Sequence, residues 1–200
     1  MFMQGNRAGG TLYTHLRCRK QRRKRYGSYA RRGRLPNCRS IAERPRIVDA
    51  KCRLGDWEAD TIIGKNHQGA IVTLTERKSK LLLMQQVADK SATGVAQAMT
   101  TLLGAVADKV HTITADNGRE FAHQQAIAEK LRADCYFAHP YSSWERGLNE
   151  NANGLVRQYF PKHCDFTKIT DTEVKRAQQR LNSRPRKSLS YQTPHQVFYK

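Results

Sequence analysis

Two hundred residues at 38% hydrophobic content can bury one real core, so a single globular domain with a tail is expected and a multidomain machine is excluded. The formal charge of +19 is lopsided, because residues 1–46 hold 14 of the 36 Lys and Arg against one acid, Glu43. Such charge points to a polyanion, since every phosphate neutralised by Lys or Arg releases condensed counterions. Nucleic acid fits better than an anionic membrane, because the run Arg17 to Arg25 offers no apolar face and no apolar stretch approaches the ~20 residues needed to span a bilayer.

The five cysteines, Cys18, Cys38, Cys52, Cys135 and Cys164, are odd in number and form no C-x-x-C pair, so neither a disulfide framework nor a structural zinc site is expected. His15 and Cys18 have a ligand-like gap but no partner pair at finger-like spacing, and read as surface residues of a tail. Reduced, incidental thiols suit a cytoplasmic protein. An organelle transit peptide shares the Arg-rich, acid-poor composition of the start, but contiguous Arg22, Arg23, Lys24 and Arg25 lack its amphipathic pattern. These four side chains are candidate DNA contacts.

In chain order, residues 1–46 are rich in Gly, Ser, Arg and Pro without a sustained hydrophobic period, and read as an extended, partly disordered basic arm closed by Pro45. From Gly55 the pattern becomes that of a strand: Trp57, Ala59, Thr61 and Ile63 alternate with Asp56, Glu58 and Asp60. A turn over 64–69 leads to β-rich stretches at 70–76 and 80–87, which make the first three strands an antiparallel meander. Helical spacing follows from Ser91 to about 107, with Val95, Ala98, Met99, Leu102 and Leu103 on one face. A short strand at 111–115 runs into Asp116, whose D-N-G turn opens a helix over roughly 121–133. A fifth strand at 135–138 precedes an irregular loop, 139–146. Leu148, Ala152, Leu155, Val156 and Tyr159 then recur at helical spacing until Pro161, and a last helix covers about 172–181. Residues 47–200 thus read as an α/β core of ribonuclease-H-like order: a mixed five-stranded sheet with helices on both faces.

Three acids stand out, and each has a plain alternative. Asp60 shares a strand face with Asp56 and Glu58, which also describes a solvated face. Asp116 ends an apolar strand, where ligands gather in sheet folds with helices, yet D-N-G is ordinary turn chemistry. Glu150 lies in a polar stripe with Asn153 and Arg157, which also describes a solvated helix face. What unites the acids is phosphodiester chemistry: two divalent ions ~3.5–4 Å apart need carboxylate oxygens from rigid elements.

Four blocks carry a resemblance: G-D-W-E-A-D-T-I-I-G (55–64), T-A-D-N-G-R-E-F-A (114–122), H-P-Y-S-S-W-E-R-G-L-N-E-N-A-N-G-L-V-R-Q-Y-F-P-K (139–162) and L-N-S-R-P-R-K (181–187). Together they resemble transposases of the insertion-sequence-thirty family, within the retroviral-integrase superfamily of DDE enzymes. The resemblance runs from about Arg44 to Phe198. It implies that Asp60, Asp116 and Glu150 are the catalytic metal ligands for two Mg²⁺ or Mn²⁺ ions. The 33 residues between the last two match the family spacing, whereas Glu145 would leave only 28. Glu145 also stands five residues, ~140° around a helix, from Glu150.

The resemblance further implies that Asn153 and Arg157 flank the site and touch DNA, and that Tyr141, Trp144 and Arg146 lie on the loop beside it; core packing is the alternative for Trp144. It implies DNA cleavage and strand transfer at the ends of an insertion sequence, by a homo-oligomer assembled on DNA without a membrane partner. Water attacks a phosphodiester at an element end, and the freed 3′ hydroxyl attacks target DNA. A non-catalytic DNA-binding remnant and a structure-selective nuclease of the same fold remain as alternatives. Family members carry helix-turn-helix segments ahead of the catalytic domain, and here only a basic stretch precedes it, so a shortened copy is expected.

Overall fold

The computed structural model describes residues 38–139 and 142–200, so Arg22, Arg23, Lys24, Arg25 and Tyr141 lie outside the described residues. In chain order the elements are β1 (Arg39–Ser40), α1 (Arg46–Ala50), β2 (Asp56–Ile63), β3 (Ala70–Glu76), β4 (Leu82–Val87), α2 (Ala92–Gly104), β5 (Thr112–Ala115), α3 (Gln124–Leu131), β6 (Asp134–Phe137), α4 (Gly147–Val156), α5 (Asp171–Asn182) and α6 (Pro194–Phe198). The strands form one mixed sheet in the order β1-β6-β5-β2-β3-β4. The β2-β3-β4 meander is antiparallel, and β2-β5, β5-β6 and β6-β1 are parallel. This is the expected ribonuclease-H-like layout with one strand more than the five read from the sequence.

The added strand is β1, inside the segment read as the end of the arm. Arg39 and Ser40 pair with Tyr136 and Phe137, and Arg39 Nη1 donates to Asp134 Oδ1 at 2.6 Å. Ser40 then caps a 3-10 turn over Ile41–Glu43 through a reciprocal bond with Glu43. Two residues are too few to show a period, so only pairing with β6 defines this strand. The helix read over 121–133 also divides, into a 3-10 turn (Arg119–Phe121) and α3.

Alternation along β2 and β3 supplies both layers of the core. Trp57, Ala59, Val72 and Leu74 face α2 and α3 and meet Met99, Leu103, Ile113, Phe121 and Phe198. Ile62 and Ile71 face the other way, toward α4 and α5, among Leu155, Val156, Phe166, Val174 and Leu181. Each such Leu, Ile or Phe side chain, removed from water, contributes roughly 1.5–3 kcal/mol. The even face of β2 therefore packs beneath α4, and Asp56, Glu58 and Asp60 share that face.

Helix α5 protects the exposed edge of β4. Asn182 accepts from the Leu82 N–H at 2.9 Å and donates to the Leu82 carbonyl at 2.8 Å, while Gln178 accepts from the Met84 N–H at 2.6 Å. Side-chain amides thus stand in for a missing neighbour strand. The L-N-S-R-P-R-K block consequently begins with two structural residues, Leu181 in the core and Asn182 on the edge.

Candidate active site

The parallel register of β2 and β5 brings two of the three acids together. Asp56 is level with Thr112 and Glu58 with Thr114, so two residues further on Asp60 comes level with Asp116, just beyond β5. Adjacent strands stand about 4.8 Å apart, which sets the scale of the approach. Asp116 is fixed by the D-N-G turn: its Oδ1 accepts from the Gly118 N–H at 3.0 Å, and Asn117 Nδ2 donates to the Ala138 carbonyl at 2.6 Å. A Cβ at position 118 would lie 2.3 Å from the Glu120 carboxylate, so any larger residue there would have to shift that side chain. Glu120 is itself buried, paired with Lys90 at 2.5 Å and accepting from the Thr61 hydroxyl at 3.2 Å.

Asp60 is held from three sides. Its Oδ1 accepts from the Thr61 N–H at 2.8 Å, and its Oδ2 accepts from Asn153 Nδ2 at 2.8 Å. Thr73 Oγ1 donates to Asn153 Oδ1 at 3.1 Å, which turns the amide's N–H side toward Asp60. The third contact is Arg146. Its guanidinium donates to Asp116 Oδ2 at 3.2 Å and to the Ala59 carbonyl at 3.2 Å, and lies 3.8 Å from Asp60 Oδ1. Burial raises the Asp60 carboxyl above its ordinary pKa, Arg146 works against that, and the Asp116 charge adds to it.

Glu150 is exposed on α4, one turn before Asn153. Among the described residues no three His, Cys, Asp or Glu stand close enough to hold a metal ion together. The structure thus joins Asp60 with Asp116, while Glu150 stands on α4 one turn before Asn153, which binds Asp60. Two carboxylates converging on one cation fit a hard divalent ion, which takes oxygen ligands.

The solvated-stripe reading of α4 is corrected for two residues. Asn153 reaches Asp60, and Arg157 donates to the Ile63 carbonyl at 2.9 Å with its guanidinium 5.6 Å from the Phe166 ring centre. Burial lowers the Arg157 pKa. Trp144 is 75% exposed, so the core-packing alternative fails for it. Glu145 binds elsewhere, accepting from the His139 backbone N–H and contacting its ring Nδ1, both at 2.8 Å. A cleft of about 500 Å³ opens near Arg44, Glu58, Arg77 and Trp144, and neither Asp60 nor Asp116 lines it. Asp116, with 40% of its side chain exposed, instead faces open solvent where a polymer has access.

Sequence reasoning missed the central position of Arg146 and the support given by Thr73 and Glu120. The parallel register of β2 and β5 accounts for the meeting of Asp60 with Asp116, but not for which side chain bridges them.

Fold and site define a ribonuclease-H-like α/β domain of the kind found in integrase catalytic cores. The chain superposes on the magnesium complex of the HTLV-2 integrase catalytic core domain with a TM-score of 0.58 at 18% identity, over 73% of this chain and 97% of that one. It is 47% identical over 196 residues to the transposase for insertion sequence element IS4351 of Bacteroides fragilis, covering 98% of this chain and 60% of that protein. It is 36% identical over 165 residues to transposase InsI for insertion sequence element IS30A of Escherichia coli, covering 82% of this chain and 43% of that protein. The chain is thus homologous to IS30-type and related insertion-sequence transposases, and spans about half the length of these relatives. No protein-family model matches it. Among the described residues no helix is long and apolar enough to cross a membrane.

Proposed function

We propose that this chain is the catalytic core of an insertion-sequence transposase, a polynucleotidyl transferase that cuts DNA at the ends of the element and joins it to target DNA in the bacterial cytoplasm. The observation that carries this reading is the convergence of Asp60 and Asp116 on a single cation at neighbouring strand ends, in a chain homologous to transposases over 98% of its length. Asp60, Asp116 and Glu150 would hold two Mg²⁺ or Mn²⁺ ions. Metal bound there would supply activation of the attacking oxygen and stabilisation of the leaving oxygen of a phosphodiester.

The chain's own side chains position the reactants. Thr73 and Asn153 orient the Asp60 carboxylate from the side away from Asp116. Exposed Trp144 offers a stacking surface for an unstacked base beside the site. Arg157, Tyr141 of the 139–146 loop and the basic segment, residues 1–46 with Arg22, Arg23, Lys24 and Arg25, supply contacts to DNA phosphates and bases, and a homo-oligomer assembles on the DNA. Residues 47–200 form the catalytic unit.

A second reading, a DNA-binding remnant without catalysis, is favoured by one observation: among the described residues no third acid gathers with Asp60 and Asp116. Strand transfer with pre-cleaved element ends separates the two. In the first reading, joining requires Mg²⁺ or Mn²⁺ and drops below detection in Asp60→Ala, Asp116→Ala and Glu150→Ala. Inactivity of the folded, metal-binding protein would establish the remnant, and metal-dependent cutting without joining would establish a nuclease.

A further inference from the structure

Arg146 has three contacts, and all lie where a metal would be needed. Its two terminal nitrogens reach Asp116 Oδ2, Asp60 Oδ1 and the Ala59 carbonyl at 3.2, 3.8 and 3.2 Å. Only 13% of the side chain is exposed. Its Nε is buried without a hydrogen-bond partner among the described residues. The side chain leaves the 3-10 turn Ser143–Arg146, immediately ahead of α4, so its root sits beside the acids and its tip lies between them.

Two carboxylates on adjacent strand ends repel each other, and an intervening positive charge offsets that repulsion. A guanidinium supplies that charge in a planar fork able to reach both acids. A divalent ion supplies more charge in less volume, and the two cannot occupy one gap. The orphaned Nε makes the guanidinium an imperfect occupant, because a buried donor without an acceptor is destabilising.

We propose that Arg146 is a resident counter-ion of the carboxylate pair, which holds Asp60 and Asp116 together in the metal-free protein and must be displaced before a divalent ion binds. The inference rests on the metal-site reading given above. It assigns Arg146 a positioning role: the residue keeps the acids gathered while the site is idle and sets the metal concentration at which the site fills. The two cations compete for one gap, so removing the guanidinium raises metal affinity.

Mn²⁺ binding to the 200-residue chain, followed by calorimetry and by the electron paramagnetic resonance of the free ion, tests it without DNA or turnover. Arg146→Gln, uncharged and two bonds shorter, is expected to bind Mn²⁺ about tenfold more tightly, and its metal-free form to melt at a lower temperature that saturating Mn²⁺ restores. Arg146→Lys, which keeps the charge and loses the fork, should fall between. In the unsubstituted protein, the restricted Arg146 Nη resonances should become freely rotating on Mg²⁺ addition. Unchanged or weaker Mn²⁺ affinity in Arg146→Gln, or Nη resonances that stay restricted at saturating Mg²⁺, overturns the proposal while leaving the metal site standing. Mn²⁺ affinity that survives Asp60→Ala and Asp116→Ala overturns the metal-site reading itself, and this inference with it.

Discussion

Strand β2 sets three acids on one face at two-residue intervals, and its two ends treat them differently. At the start, Asp56 is fully buried and accepts from Arg53 Nε and Nη2 at 3.0 and 2.9 Å and from Thr112 Oγ1 at 2.8 Å. Glu58, 1% exposed, pairs with Arg77 and accepts from the Asn149 N–H at 3.1 Å, which anchors the first turn of α4. At the far end Asp60 has 21% of its side chain exposed and shares Arg146 with Asp116. All three are carboxylates on one face and both Asp60 oxygens are also hydrogen-bonded, so what separates a structural carboxylate from a candidate catalytic one is access to solvent. Asp56 and Glu58 are enclosed by permanent partners, whereas Asp60 lies where the sheet opens and its cationic partner comes from a turn.

The sharpest way to break this comparison is to neutralise each acid in turn and measure unfolding by denaturant. Glu58→Gln leaves Arg77 without its buried partner and should cost about 3–5 kcal/mol. Asp60→Asn should stay within about 1 kcal/mol, because Arg146 keeps Asp116. Equal losses at the two positions would mean that both ends of the strand are structural. Asp56→Asn should fall between them at about 1.5 kcal/mol, since charge-assisted bonds to Arg53 and Thr112 weaken while Arg53 is one-third exposed. A loss as large as that of Glu58→Gln would shift the structural anchor to the very start of the strand.

The smallest expected effect concerns pH at the tight turn after β3. Burial lowers the Lys80 ammonium to about 8 from an ordinary value of 10.5, while its Nζ donates to the Arg77 carbonyl at 2.7 Å. Between those values the unfolded chain binds more protons than the folded one, so this group's contribution to stability rises from pH 8 to 10.5 and is flat below pH 8. After solvent screening the rise should be under about 1 kcal/mol and absent in Lys80→Met. Parallel stability curves for the two proteins across that window would show that Lys80 is solvated rather than buried at the Arg77 end of the acid ladder.

Much of this protein was legible in its sequence for a local reason. Period-two alternation located β2, β-rich composition located β3 and β4, period-3.6 spacing located α2 and α4, and D-N-G located the turn at Asp116, because each signal depends on neighbours within a few residues. The homology to transposases was equally legible in the contiguous 139–162 block. The rest depended on groups far apart in the chain. A two-residue β1 exists only because β6 pairs with it, and the burial of Asp56 and Glu58 depends on Arg77 and on α4 lying over them. Asn153 and Arg157 look like a solvated stripe until the sheet is beneath them. Which acid stays open, and that Arg146 bridges it to Asp116, required the register of two parallel strands 56 residues apart, a long-range pairing to which no local pattern is sensitive.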